Sequence, residues 1–389
     1  MDRVPDSGMP ATAATPSVVV LTHLYPSPDS PGRGSFVEEQ CRALSEHCDL
    51  TVVTGRWDLD TRTEESSGAI HVIAVPLRAA AGLPSTLRVA NAIPGYTKAA
   101  LGEIRRLDGP PDLIHAHFAL PDGVTAIRVG RAVRVPVVVT LHGSDFNRQM
   151  SRPVVGALLA SYIARAEGVI AVSQQIADGF SARVPHAANR VEFVPNGYDS
   201  ALIRLEPKPD SGGFLFVGSL TPVKNPLVLL RAFARIASQT TRDLTMIGEG
   251  HLRPDVERAV SDFGISDRVR LLGRIPHDQL QPHFRNAHAL VLPSASEGMP
   301  LVVIESLATG TPVVASAVGA IPDLVEPGRS GLLVTPGDVD ELADALLRAE
   351  RTPWDNAGIA QSAPIIDWAE NARRVAAIYR RLIDPTSGS

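Results

Sequence analysis

Glu297 and Glu305 stand eight positions apart in "SASEGMPLVVIESLATGTPVVAS", residues 294–316, a stretch otherwise small and apolar. "HALVLPS" reads as a strand, "ASEGMP" as a turn and "LVVIESLATG" as a helix closed by Gly310. Pro300 suits the first helical turn, where its missing N–H is no loss. The free amides of such a helix start can hold an anion such as a diphosphate. Glu297 in the turn can accept hydrogen bonds from sugar hydroxyls. Glu305 lies about one turn into the helix among Val302, Val303, Ile304 and Leu307, which are core-type neighbours. A carboxylate there can take both hydroxyls of a ribose.

Three other loops could take part. "FLFVGSLTPVKNPLVLLRAF" runs from strand through Gly218 and Lys224 into a helix. It could cradle a phosphate beside a point charge, or hold only a solvated lysine. The chain has three lysines against 34 arginines, and the two cations are not interchangeable. Neither a Walker A loop nor a G-x-G-x-x-G fingerprint is present, which argues against a dehydrogenase. In "HLYPSPDSPGRGSFVEEQ", Gly32 and Gly34 precede a helix, with Ser35 as the expected cap and Glu38 three residues later. That is an anion site or a plain turn. "DLIHAHFALPDG" and "VVVTLHGSDFN" end strands with His115, His117 and His142. Asp145 could orient an imidazole or bind a hydroxyl; His117 and Asp145 are the candidates for the acceptor side. Strand-end histidines can equally be structural. No third ligand is spaced for zinc, so no metal site is expected.

These loops need strands to place them. Short Val/Ile/Leu runs alternate with helix-length segments: "SVVVLT", "LTVVT", "AIHVIAVP", "DLIHAH", "PVVVTLH", "GVIAVS" and "RVEFVP", then "GFLFVGS", "DLTMIG", "RVRLLGR", "HALVLPS", "TPVVAS" and "GLLVT". Near-continuous apolar runs are the mark of parallel strands buried on both faces. The polar, Pro/Gly-rich "NGYDSALIRLEPKPDSGG" separates the two series. The expected fold is α/β, with two doubly wound parallel-sheet domains at 1–203 and 204–389. Residues 1–15 read as a disordered lead-in, and the last helix could pack back on the first domain. In such sheets ligands sit beyond the carboxyl ends of the strands.

With 389 residues, 44% hydrophobic and 20% charged, the chain is long enough for two cores. A net charge of −5 offers no global attraction to nucleic acid. Cys41 and Cys48, on an expected helix over 36–47, are set about 10 Å apart and should stay reduced. No apolar run spans a bilayer and no signal core is visible, so a cytoplasmic place is expected, with peripheral contact at the inner membrane face left open. "PLRAAAGLPSTLRVANAIPGYTKAALG" could shape an acceptor groove or lie on a membrane, or be an ordinary loop plus helix.

"EGMPLVVIE" resembles the Glu–seven residues–Glu motif of the retaining glycosyltransferases of family 4, which have the GT-B fold. The likeness extends through "YPSPDSPGRGSFVEEQ", "IHAHFALPDG", "TLHGSD", "AVSQ", "VPNGYD", "FVGSLTPVKNP", "MIGEG", "ATGTPVVAS", "GAIPDLV" and "GLLVTPGDVDELADAL". In detail it is similar to the teichuronic-acid and polysaccharide subgroup. The resemblance implies transfer, with retention, from a nucleotide-diphospho-sugar held by the second domain to a hydroxyl of a polysaccharide, lipid-linked or small-metabolite acceptor held by the first. It implies that Lys224, beside Gly218, neutralises the diphosphate and that the amides of Leu301 and Val302 cap it. Glu305 then binds the ribose, Glu297 sits by the donor sugar with Gly298 and Met299 and is, with His142, a catalytic candidate though not a nucleophile, and the backbone at Ile275 faces the base. Gly34 backs the phosphate, and His142 assists catalysis near the sugar. No cofactor is required, and Mg²⁺ is not indicated.

The chain departs from that family at three places. Ser219 stands where the family usually has Arg, and Arg33 splits the usual glycine pair of the first loop. Arg33 could supply the missing charge across the cleft, or could be solvated, or an Mg²⁺ or Lys224 alone could suffice. Asp323 stands where the family often has Glu. The rivals are a nucleotide-sugar epimerase or hydrolase of the same fold and a non-catalytic sugar-nucleotide-binding protein.

Overall fold

The computed structural model describes residues 15–30, 32–143, 149–150, 152–207 and 212–384. Asp145 lies outside the described residues, as do most of the expected lead-in and part of the linking segment.

The first eight strands are β1 (Ser17–Thr22), β2 (Asp49–Arg56), β3 (Thr63–Ser67), β4 (Ile70–Pro76), β5 (Leu113–His117), β6 (Val137–Leu141), β7 (Gly168–Ala171) and β8 (Val191–Phe193). They form one sheet in the order β3-β4-β2-β1-β5-β6-β7-β8. All pairings are parallel except β3 with β4. The sequence "TEESS" of β3 carries no apolar signal, because both faces of this strand are wet; its carboxylates guard the sheet edge against further pairing. The connecting helices are α1 (Ser35–Leu44), α2 (Ser85–Ile104), α3 (Val124–Val133), α4 (Pro153–Ile163) and α5 (Gln174–Arg183). Residues 76–102 are thus a loop and most of α2, whose Ala92, Ile93, Tyr96 and Ala100 are buried.

After the two-residue strand β9 (Gly197–Tyr198), a second sheet contains β10 (Phe214–Val217), β11 (Leu244–Ile247), β12 (Val269–Gly273), β13 (Ala289–Leu292), β14 (Val313–Ser316) and β15 (Gly331–Val334). Its order is β12-β11-β10-β13-β14-β15, all parallel. Its helices are α6 (Pro226–Ile236), α7 (Arg253–Asp262), α8 (Gln281–Asn286), α9 (Leu301–Ala308), α10 (Ile321–Leu324), α11 (Val339–Arg351) and α12 (Asn356–Ser362). The chain then forms β16 (Ile366–Asp367), which pairs in parallel with β9, and α13 (Trp368–Ile383).

Strand alternation divides the first core. Val19 and Leu21 of β1 pack with α2 to α5, while Val18 and Val20 pack with α1 and α13. The last helix therefore closes one face of the first sheet. Gln40 Nε2 donates to Asn371 Oδ1 at 2.7 Å, and Asn371 Nδ2 donates to the Pro195 carbonyl at 2.6 Å. α1 ends before Cys48, whose thiol lies 3.3 Å from the Leu44 carbonyl; both cysteines are free and buried. The expected helix over 36–47 is therefore shorter, and only Cys41 is helical.

The cap of α1 also differs from the capping-box expectation. Ser35 is the first helical residue and Gly34 is the cap, at φ 75° and without a side-chain bond. A Cβ on Gly34 would stand 2.3 Å from the Leu24 carbonyl oxygen. Backbone sterics decide this cap, since only glycine combines that dihedral with that approach.

Candidate active site

The strand ends of the two sheets meet at Gly143 and Gly298. A Cβ on Gly143 would lie 2.2 Å from the Gly298 Cα, and one on Gly298 would lie 2.5 Å from the Gly143 nitrogen. Backbone touches backbone here, which puts His142 beside the Glu297–Gly298 turn. Gly298→Ala should force the two halves apart. Turnover should then fall by up to about 10²-fold, the scale of a misplacement near 1 Å, while the thermal midpoint stays near the parent's. Small-angle scattering and steady-state kinetics together check this.

On the second-domain side, Pro300 caps α9, and the Val303 and Ile304 amides bond back to its carbonyl. The amides of Leu301 and Val302 have no helical acceptor, as the first turn of any helix requires. Glu297 Oε1 lies 2.6 Å from Lys224 Nζ, both side chains being largely covered. Gly218 lies alongside Lys224: a Cβ there would touch the lysine side chain at 3.7 Å. Ser219 is exposed and 3.3 Å from the Thr221 hydroxyl.

Glu305 is buried, as its neighbours demand. Its Oε1 lies 2.6 Å from His277 Nε2, and its Oε2 is buried with no hydrogen-bond partner among the described residues. Hydrogen bonding to Glu305 pushes the His277 pKa up against the opposing effect of burial, with Glu39 and Asp199 adding to the rise. His277 stands three residues after the strand segment "RVRLLGR", but its role depends on a contact 28 positions away. A histidine just past a strand end was the available signal. Ile275, two residues before it, is half-buried in the same loop.

The family description "Glycosyltransferase Family 4" matches residues 32–202, and "Glycosyl transferases group 1" matches residues 212–351. A Bacillus subtilis glycosyltransferase named for teichuronic acid biosynthesis is 30% identical over 86% of this chain and 89% of its own length. The chain is a family 4 glycosyltransferase. A D-inositol 3-phosphate glycosyltransferase from Frankia alni is 32% identical over 71% of this chain and 75% of its own. Among solved structures, sucrose-phosphate synthase from Thermosynechococcus elongatus superimposes with a TM-score of 0.75 at 23% identity, covering 94% of this chain and 99% of its own. Anabaena HepE in complex with UDP-glucose superimposes with a TM-score of 0.64 at 19% identity, covering 96% of this chain and 100% of its own. The glycosyltransferase thus has the GT-B fold, two Rossmann-like domains facing across a cleft.

In the first domain of the glycosyltransferase, three imidazoles stack inward from the cleft. His142 Nε2 is 3.1 Å from His117 Nδ1, and the His117 and His115 rings are 4.5 Å apart. His115 Nε2 meets the Thr140 hydroxyl at 2.7 Å and its Nδ1 the Tyr379 hydroxyl at 2.6 Å. Burial pushes all three rings toward the neutral form, His117 down to about 3. His117 is therefore not at the cleft surface where an acceptor-side residue was expected. The alternation of β5 turns it under His142, leaving it to support that ring.

One further expectation shifts. Met299 is buried, its Sδ 3.1 Å from the Asn196 amide and its carbonyl 3.4 Å from Asn196 Nδ2, so its side chain is spent on the linking segment rather than on the cleft. Arg33 sits in an exposed turn, its amide bonded to the Ser30 carbonyl at 3.1 Å. Its charge contributes to holding the Asp58 carboxyl low, after the stronger hydrogen bond from Arg56. Asp323, in α10, is exposed. Among the described residues no group of three or more metal-ligating side chains converges, and no helix is long and apolar enough to cross a membrane.

Proposed function

We propose that this glycosyltransferase moves a sugar, with retention, from a nucleotide-diphospho-sugar to a hydroxyl of a sugar- or polyol-containing acceptor. One observation carries the reading. A buried carboxylate with an unpartnered oxygen, Glu305, lies on the short helix α9, whose open first-turn amides follow directly on the turn where Glu297 holds Lys224. That set matches a nucleoside diphosphate group by group: hydroxyls on Glu305, phosphate oxygens on the Leu301 and Val302 amides, charge on Lys224. The names of the relatives point the same way, since a structural neighbour is titled as a complex with UDP-glucose and curated relatives are named for D-inositol 3-phosphate and teichuronic acid.

In this reading the departing diphosphate gathers negative charge as the glycosidic bond breaks, and prepositioned donors stabilise it without reorganising. Glu297 holds Lys224 in place and borders the sugar. His142 meets the sugar from the other wall. Ser219 adds no charge at the mouth, and Arg33 would supply a second cation when the opposing loop closes in.

Glu305→Gln should weaken UDP binding by about 1–3 kcal/mol, the range for a hydrogen bond to a charged group. Calorimetry with UDP is the measurement. An unchanged affinity removes Glu305 from the ribose site and with it the main support for the donor assignment.

A further inference from the structure

At the carboxyl end of β1, His23 turns Nδ1 toward Asp122 Oδ2, 2.5 Å away. Asp122 is fully buried, whereas the His23 side chain keeps 19% of its exposure. Asp122 is fixed by the turn Ala119–Gly123, entered through Phe118 at φ 75° and continuous with α3. Burying a carboxylate is costly unless a charged or hydrogen-bonding partner repays it. His23 is that partner, with the Tyr96 phenol beside the same carboxyl; burial raises the Asp122 pKa and His23 opposes the rise.

The pair has a direction. Nδ1 is tied inward, so the atom on the far side of the ring, Nε2, is left to act; it has no partner among the described residues. An imidazole whose Nδ1–H is held by a carboxylate presents Nε2 as an acceptor. The place is also defined. The Phe118 ring meets His23 at 5.1 Å and His142 at 4.6 Å, centroid to centroid. Strands β1, β5 and β6 are adjacent and parallel, so His23 and His142 stand on one edge of the sheet. That edge faces Gly298 through Gly143.

We propose that His23, oriented by Asp122, anchors the acceptor: Nε2 accepts a hydrogen bond from the acceptor hydroxyl adjacent to the attacking one, next to the donor sugar beside His142. The assignment rests on the glycosyl transfer proposed above. In that step the bond from the anomeric carbon to the diphosphate oxygen breaks, and a bond to the acceptor oxygen forms. The hydroxyl proton leaves with the departing diphosphate oxygen. His23 holds the neighbouring hydroxyl, which aims the attacking one, and takes no proton; Asp122 is a positioning residue.

The test begins with the full chain, screened with UDP-glucose, UDP-N-acetylglucosamine and GDP-mannose against glucose, glycerol, myo-inositol and D-inositol 3-phosphate. The best pair is then used for variants. His23→Asn keeps an N–H where Nδ1 was, so Asp122 stays satisfied, but it removes Nε2. Its acceptor kcat/KM should fall at least about tenfold, the scale of one lost substrate hydrogen bond, with nucleotide affinity and thermal midpoint near the parent's. His23→Gln, which reaches the Nε2 position, should recover part of the loss. Asp122→Asn should reproduce the acceptor defect with nucleotide binding intact. Parent-like acceptor kinetics in His23→Asn would mean that the imidazole serves only to satisfy Asp122, and would overturn the anchor. An equal loss of nucleotide affinity and acceptor kinetics would also overturn it. If either His23 variant fails to fold, the other with Asp122→Asn decides. A parent chain that binds a nucleotide sugar yet transfers to none of the acceptors would defeat the transfer reading itself, and the anchor with it.

Discussion

Lys224→Ala should lower turnover by about 10²–10³-fold, the effect of removing one preorganised charge donor from a leaving group, and should weaken UDP binding as well. The reason lies in how the lysine is held. Glu297 Oε1, 2.6 Å from Nζ, fixes the ammonium before any ligand arrives, so little order is lost when a diphosphate enters. The helix amides at Leu301 and Val302 remain in the variant, which is why some binding should persist. Lys224→Arg should rescue poorly, because a planar fork cannot occupy the place of a compact ammonium. Arg33→Ala is the contrast: if Arg33 acts on closure, as proposed, its loss should affect turnover more than UDP affinity. Calorimetry and steady-state kinetics on the same preparations separate the cases. Unchanged UDP affinity in Lys224→Ala would show that the diphosphate lies elsewhere.

His142→Ala should reduce kcat by about 10²–10³-fold with UDP affinity close to the parent's, because in the proposed reading it meets the sugar at the reacting end, where a contact strengthens in the transition state. The ring is neutral by burial, wedged between Phe36 at 5.0 Å, Phe118 at 4.6 Å and His117. Removing it also strands the buried His117 Nδ1, which should cost about 1–3 kcal/mol of stability. Thermal unfolding measures that part, and kinetics well below the new midpoint measure the rest. Loss of UDP affinity with kcat intact would make His142 a ground-state contact only.

Most strands of the second sheet were legible because they are short apolar runs buried largely on both faces; the edge strand β12, with Arg270 and Leu272 exposed, is the least so. β3 was not, since a strand wetted on both sides has no apolar pattern, and the ladder of β9 with β16 is too short to leave one. The corner around Glu297 and Glu305 could be read because local geometry alone builds it: strand, turn, proline, helix. His117 was misplaced because strand alternation fixes which face a side chain takes, but not which other ring will lie over it. Ser35 failed as a cap because the deciding contact, Gly34 against the Leu24 carbonyl, comes from the preceding loop. Asp122 lies in "DLIHAHFALPDG" and His277 just past "RVRLLGR", yet each gains its meaning from a partner 99 or 28 positions away.

The pairing of β9 with β16 has a mechanical consequence. The polypeptide crosses between the two sheets twice, and the two crossings lie side by side in register, Gly197 against Ile366 and Tyr198 against Asp367. A single tether permits swivel about any axis. Two joined tethers behave like a strap hinge, resisting twist and leaving bending across the ladder as the soft direction. Because α13 continues from the second crossing and is bolted to α1 by apolar contacts, one leaf of that hinge is anchored in the first domain. Any opening of the cleft would thereby follow a narrow arc, one that brings Gly298 back to Gly143 on closing.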